Sequence, residues 1–232
     1  MIDIKSYGST SKGNSYIISD GESSLMLEAG INPDRMKGVD WSKVQGCLIS
    51  HLHGDHSKYA KRVIETTGFD VFANADTIQF LNTSIYRSKE IKGLEEFKIG
   101  NWNIMPFPLK HDIDIATLGF FIESKDGDRL LFATDTYYIP FQFPDITHLM
   151  IECNYSKDIL NKNVESGLIQ PFRYKRLLRS HFELGNVKKF ISSNDMTKLE
   201  EVWLLHLSNQ NADGDRFKKE IQAITGKPVY IA

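Results

Sequence analysis

Between positions 51 and 56 the chain places His51, His53, Asp55 and His56, which is three of its seven histidines and an acid within six residues. Imidazole and carboxylate are the side chains that hold divalent metal ions. In an extended segment His51 and His53 point to the same side, because side chains alternate with period two. Asp55 and His56 follow where the chain turns into a helix, so they approach from a second direction. One histidine-rich turn is an incomplete site, and three further groups can complete it. His111 follows the run "NIMPFPLK", Asp135 follows "RLLFAT", and His206 lies near the end of "EVWLLHLS". Each sits at the end of an apolar strand, where a rigid sheet presents a side chain at its rim. Two ions can share such a set, and an aspartate is the natural bridge, its two oxygens reaching ions about 3.5–4 Å apart.

The elements that must position these groups are legible as alternating β-rich and helical runs. "IDIKSY", "NSYIIS" and "SLMLEA" lie between Gly/Ser turns and read as an antiparallel meander. "INPDRMKG" offers Asn32 as a cap, Pro33 in the first turn and Gly38 as a stop. "GCLIS" is a short buried strand leading into the histidine cluster, and the helix after it ends at Gly68. "DVFA" is a strand and "NADTIQFLN" a short helix. "NWNIMPFPL", "ATLGFFIES", "RLLFATD" and "HLMIECN" read as consecutive strands, with "KDGD" as a hairpin turn. A helical region spans about residues 156 to 193, followed by the strand "EVWLLHLS", a closing helix and the strand "PVYIA". Two strand-rich halves with flanking helices predict an α/β (α+β) fold: an αββα sandwich of two mixed sheets covered by helices.

The chain has 232 residues, 41% hydrophobic and 25% charged, which suits one globular domain with a large core or at most two small ones, and the expectation is a single domain over residues 1–232. A net charge of -2 advertises no global basic field for nucleic acid, although a local patch is compatible with it. The two cysteines, Cys47 and Cys153, lie in apolar runs and read as buried thiols in a reducing compartment. The N-terminal stretch has no basic segment followed by an apolar one, and no apolar run approaches a membrane span. The expected location is cytoplasmic, with no membrane partner.

His51, His53, Asp55 and His56 together match the HxHxDH motif, and on this the chain resembles the metallo-β-lactamase fold superfamily. His111, Asp135 and His206 fall in the order of its later ligand motifs. The resemblance implies that His51, His53 and His111 hold one metal, that Asp55, His56 and His206 hold the other, and that Asp135 bridges. It implies a cofactor of two divalent ions, zinc first, with manganese or iron also compatible with the ligands. Three stretches are similar to the small bacterial exonuclease branch, the YycJ/WalJ type: "YGSTSKGNSYII", "LMLEAGI" and "LLHLSNQN". The second has Glu28 where that branch usually has aspartate; such an acid orients a metal-bound histidine. "MIECNYS" has Tyr155 where the branch tends to have histidine.

The segment "QPFRYKRLLRSHFELGN" resembles a Pro…Lys…Arg…His…Asn stretch of the same branch, with His181 and Asn186 spaced two residues wider. From Arg173 to Lys189 it carries Arg173, Lys175, Arg176, Arg179, Lys188 and Lys189 against Glu183 alone. Guanidinium forks suit phosphate oxygens, so this reads as a phosphate grip; a solvated helix face is the competing reading. Asn186 joins the candidate substrate contacts, and Tyr174 can stack on a base or pack in the core. The resulting expectation is a metal-dependent phosphodiesterase or nuclease acting on DNA, RNA or another phosphodiester. In it Asp55 orients the attacking water and His181 supplies a proton or hydrogen bond. A hydrolase of small thioesters, lactones or amides on the same centre is the alternative, and a binding protein on a degenerate fold is a third. His148, at the start of a strand, reads as structural, and Trp41, Trp102 and Trp203 as core.

Overall fold

The computed structural model describes residues 1–83, 86–112 and 114–232. The fold is α/β, with two mixed sheets flanked by helices as the strand pattern predicts. The chain divides into two compact units, one of residues 1–108 and 116–128, the other of residues 109–115 and 129–232.

In the first unit, β1 (Asp3–Thr10), β2 (Gly13–Ser19) and β3 (Ser24–Leu27) form the expected meander. β4 (Val44–Leu48) then pairs parallel to β3. It leads into α1 (Gly54–Ser57) and α2 (Ala60–Thr67), whose end is capped by Gly68 in the left-handed conformation. β5 (Asp70–Ala73), α3 (Ala75–Leu81) and β6 (Ser88–Glu90) extend the sheet, which runs β1 to β6 in chain order. β3 and β4 are almost wholly buried and apolar, the pattern of central strands covered on both faces. Met26, Cys47, Ile49, Val63 and Val71 pack there as one cluster, fixing α2 against the sheet. Three more strands follow: β7 (Phe97–Ile99), β8 (Trp102–Leu109) and β9 (Thr117–Glu123). Phe97 stacks on Phe72 of β5 with ring centroids 5.5 Å apart. Buried Trp102 donates to Ser23 Oγ at 2.9 Å, so it is core as expected, while Trp41 and Trp203 are half-buried. The short strands β6 and β7 have no clear period in the sequence.

In the second unit, β10 (Arg129–Ala133) and β11 (His148–Glu152) are followed by three helices: α4 (Lys157–Glu165), α5 (Pro171–Ser180) and α6 (Leu184–Ser193). β12 (Glu201–Leu205), α7 (Gly214–Thr225) and β13 (Val229–Ile231) complete the chain. β10 to β13 are parallel neighbours in chain order. β10 and β11 are near-continuous apolar runs buried on both faces, with polar groups only at the strand ends, whereas β12 is alternately buried and β13 exposes Tyr230 and Ile231. His148 is buried at the start of β11 beside Thr147 Oγ1 at 2.8 Å, a structural placement. Tyr155 is core, packed with Leu160 and Ile169, against which Leu177 and Leu178 of α5 lean. Among the described residues no helix is long and apolar enough to cross a membrane.

Candidate metal centre

The first unit gathers His51, His53, Asp55 and His56 at the exit of β4. His51 Nε2 lies 2.9 Å from His53 Nδ1, and the His51 and His56 rings are 4.3 Å apart. His56 Nε2 is 3.4 Å from Asp55 Oδ2. Ligand atoms around a tetrahedral zinc, at about 2.0–2.1 Å from it, are about 3.3 Å from one another, so the His51–His53 pair and the Asp55–His56 pair are each spaced to share a cation. A shell of polar neighbours fixes the rings. Ser50 Oγ sits 2.8 Å from His51 Nδ1, and the Ser50 N–H donates to Glu28 Oε2 at 3.3 Å. Glu28 Oε1 is 3.4 Å from His56 Nδ1, both side chains being fully buried. The carboxylate thus lies behind the His56 ring, the position from which such an acid can orient an imidazole. Asn14 Nδ2 donates to the Asp55 carbonyl at 3.2 Å and to Oδ2 at 3.3 Å, and lies 3.1 Å from His56 Nε2.

The loop can sit this close only because residue 30 has no side chain. A Cβ on Gly30 would lie 1.7 Å from the Asp55 carbonyl oxygen. The "LEAGI" run therefore supplies both the buried acid and the bare backbone over which α1 starts.

The second unit builds its cluster from strand ends far apart in sequence. Asp135, Glu152, His181 and His206 each present a ligand atom within 4.8 Å of the others. His206 Nδ1 is 3.3 Å from Asp135 Oδ1 and 3.4 Å from Glu152 Oε1. His111 Nε2 lies 3.8 Å from Asp135 Oδ2, and its Nδ1 is 2.8 Å from the Ser180 carbonyl oxygen. Donation to that carbonyl places the His111 proton on Nδ1 and makes Nε2 the ring atom that could coordinate a metal. Asp135 and His206 follow β10 and β12 with φ of 48° and 52°, and Glu28, just past β3, has φ of 64°. Left-handed backbone is rare for residues with a Cβ, and here it turns a side chain out of the strand end toward the cluster.

Glu152 was not marked by sequence reasoning, and it organises this cluster. It is fully buried at the end of β11. One oxygen meets His181 Nδ1 at 2.6 Å. The other accepts the N–H groups of Thr136 at 2.9 Å and Phe182 at 3.1 Å. Burial alone would raise its carboxyl, but the neighbouring His181 and His206 outweigh burial and hold it below the usual value. Burial likewise favours neutral His181, and Glu152 outweighs it, raising the imidazole above its ordinary value. Asn154 adds a second contact missed in the sequence, donating to the His206 carbonyl at 2.7 Å. The available signal was position: Glu152 ends an apolar strand as Asp135 and His206 do. Cys47 and Cys153 are free and buried, and burial, helped by Glu28 and Glu152 respectively, pushes both thiols up.

The basic segment lies on α5, where Arg173, Lys175, Arg176 and Arg179 are all exposed. Arg176 pairs with Asp112 at 3.0 Å, and Lys188 on α6 is bound to Glu220. The helix ends against the cluster, since Ser180 contacts His111 and His181 is the helix cap. Asn186 sits on α6, its N–H donating to Glu183, and it lines a cavity together with Phe182 and Lys189.

The family model described as "Beta-lactamase superfamily domain" matches residues 24–159 of this chain. The chain belongs to that superfamily. Among curated proteins it is similar to "Exodeoxyribonuclease WalJ" of Streptococcus pneumoniae, with 24% identity over 88% of this chain and 80% of that protein. Among solved structures it is similar to the metallo-beta-lactamase fold protein YhfI from Bacillus subtilis. The TM-score is 0.73 and the identity 19%, covering 100% of this chain and 97% of that one. It is also similar to Zn(2+)-bound PqqB from Methylobacterium extorquens, with a TM-score of 0.72 and 15% identity, covering 100% and 97%. The chain is thus a metallo-β-lactamase-fold hydrolase with candidate metal-binding residues, and the fold implies a divalent metal.

Proposed function

We propose that the protein is a metal-dependent phosphodiesterase acting on DNA or RNA, working in the cytoplasm with two divalent ions, zinc first and manganese or iron as alternatives. The proposed ligands are His51, His53, Asp55 and His56 from the first unit and His111, Asp135 and His206 from the second. The domain we assign is the whole of residues 1–232. The observation that carries the substrate class is α5: a helix with four exposed cations whose last turn contacts His111 and whose cap is His181. The similarity to an exodeoxyribonuclease supports the same class.

Bound divalent ions supply Lewis acidity and lower the pKa of water. The chain's own residues do the rest. Arg173, Lys175, Arg176 and Arg179 offer charge-assisted hydrogen bonds to phosphate oxygens along the strand. Asp55, held by Asn14, orients the attacking water. His181 keeps its Nδ1 proton against Glu152, so Nε2 can give a proton to the departing oxygen. Glu152 acts through His181, as a positioning residue.

Replacing Arg173 and Arg179 together by glutamine tests this reading. Oligonucleotide binding should weaken and the slope of log K against log salt should fall by roughly 1–2. Hydrolysis of a small nitrophenyl phosphodiester should change far less. Turnover of a thioester or lactone but of no oligonucleotide, in any divalent metal, would contradict the proposal.

A further inference from the structure

A cavity of about 720 Å³ opens in the second unit, within the size range of small-ligand sites. Its lining combines aromatic rings with a few polar groups: Phe141, Phe182 and Phe190 beside Gln142, Asn186 and Lys189. Phe182 and Phe190 are buried and fixed, while Phe141 is half-buried and packs against Phe143 with centroids 6.4 Å apart. Gln142 is tied back through its amide nitrogen to the Ser193 carbonyl at 2.8 Å. Among the described residues, neither the Lys189 ammonium nor the Asn186 side-chain amide has a hydrogen-bond or ion-pair partner. An amide and a cation left uncommitted beside aromatic faces make a chemically mixed pocket, unlike a packing defect of a core.

The two walls of this cavity are rooted on one carboxylate. One wall is the stretch after Asp135, whose Thr136 N–H donates to Glu152. The other begins at Phe182, whose N–H donates to the same oxygen, and continues into α6. The other Glu152 oxygen holds His181. The cavity and the proton-donating imidazole are therefore fixed in common.

We propose that this cavity is a binding pocket for one unpaired nucleobase of the substrate. The base would stack on Phe141, the half-buried ring, over an apolar floor formed by Phe182 and Phe190, with Asn186 hydrogen-bonding its edge and Lys189 meeting an adjacent phosphate. The proposal takes its substrate class from the phosphodiesterase reading. Stacking on an aromatic face is tolerant of base identity, so the pocket requires an unpaired base and discriminates weakly among the four. It gives Asn186 a role on the pocket wall, apart from the metal ligands. A site of this kind acts on a frayed end or a single strand and disfavours bases held in a duplex.

The test is calorimetric titration of the intact protein with dAMP and with deoxyribose 5-phosphate, which carries the phosphate and no base. The expected result is dAMP binding at least about tenfold tighter than the sugar phosphate. Phe141→Ala should weaken dAMP by about 5- to 100-fold, the range for a lost stacking face, and leave the sugar phosphate unchanged. Asn186→Ala, on the polar side, should weaken dAMP by a smaller factor; it keeps the test decisive if Phe141→Ala does not fold. Equal affinity for the two ligands, no binding of dAMP, or equal weakening of both would overturn the proposal. Oligonucleotide hydrolysis is measured separately on the same preparation. A wild-type protein that prefers dAMP as predicted yet cleaves no oligonucleotide overturns the phosphodiesterase reading and supports the pocket as a nucleotide site.

Discussion

The two units solve the same problem by different means. The first collects four potential ligands from six consecutive residues, on one turn that begins a helix. Its support is shared among Ser50, Glu28 and Asn14, each holding part of the turn. The second collects its groups from the ends of β10, β11 and β12 and from the cap of α5. There a single buried carboxylate, Glu152, binds two imidazoles and two backbone N–H groups. A local site is held redundantly by its neighbours, whereas a dispersed one depends on the residue that ties its pieces together.

That difference has its largest expression in stability. Glu152→Ala strands two buried N–H groups and two imidazoles at once, and should cost roughly 3–5 kcal/mol. Glu28→Ala strands one N–H and one imidazole at longer distances, and should cost about 1–3 kcal/mol. Denaturant unfolding with metal chelated measures both. Equal losses would break the contrast between a dispersed and a local cluster.

His181 sharpens the contrast further, because the second cluster contains an imidazole assigned to proton transfer and the first does not. His181→Ala should leave metal content unchanged and lower turnover by about 10²–10⁴-fold. A substrate whose leaving group needs no proton should recover much of that rate. Loss of metal on this substitution would instead make His181 a ligand, as its place within 4.8 Å of Asp135 and His206 permits.

The smallest effects belong to the asparagines that play matching parts, Asn14 beside Asp55 and His56 and Asn154 beside His206. Each alanine variant should weaken metal affinity by about 10–100-fold, the range for a lost orienting contact. Competition with a chromogenic chelator reads both values. A much larger loss at Asn154 would extend the single-support pattern beyond Glu152.

How much was legible in the sequence follows the same division. The 51–56 cluster is a contiguous pattern, so its candidate ligands and the turn beneath them can be read directly. The central strands are also legible, since burial on both faces leaves long apolar runs such as "RLLFA" and "HLMIE". Glu152 is a lone acid at the end of such a run, and nothing local distinguishes it from a strand terminus facing water. Only the parallel register of β10, β11 and β12 brings it beside His206. The function of Gly30 was hidden for the same reason, because the close approach of Asp55 is a tertiary fact. The short strands β6 and β7 carry too few residues to show a period, and pairing alone defines them.

Metal content measured alongside activity tests the central claim most directly. Purified protein should carry about two divalent ions per chain. His53→Ala in the first cluster and Asp135→Ala in the second should each lower that occupancy and abolish phosphodiester hydrolysis, with folding retained. Full hydrolysis by chelated, metal-free protein, or by either variant, would contradict the account.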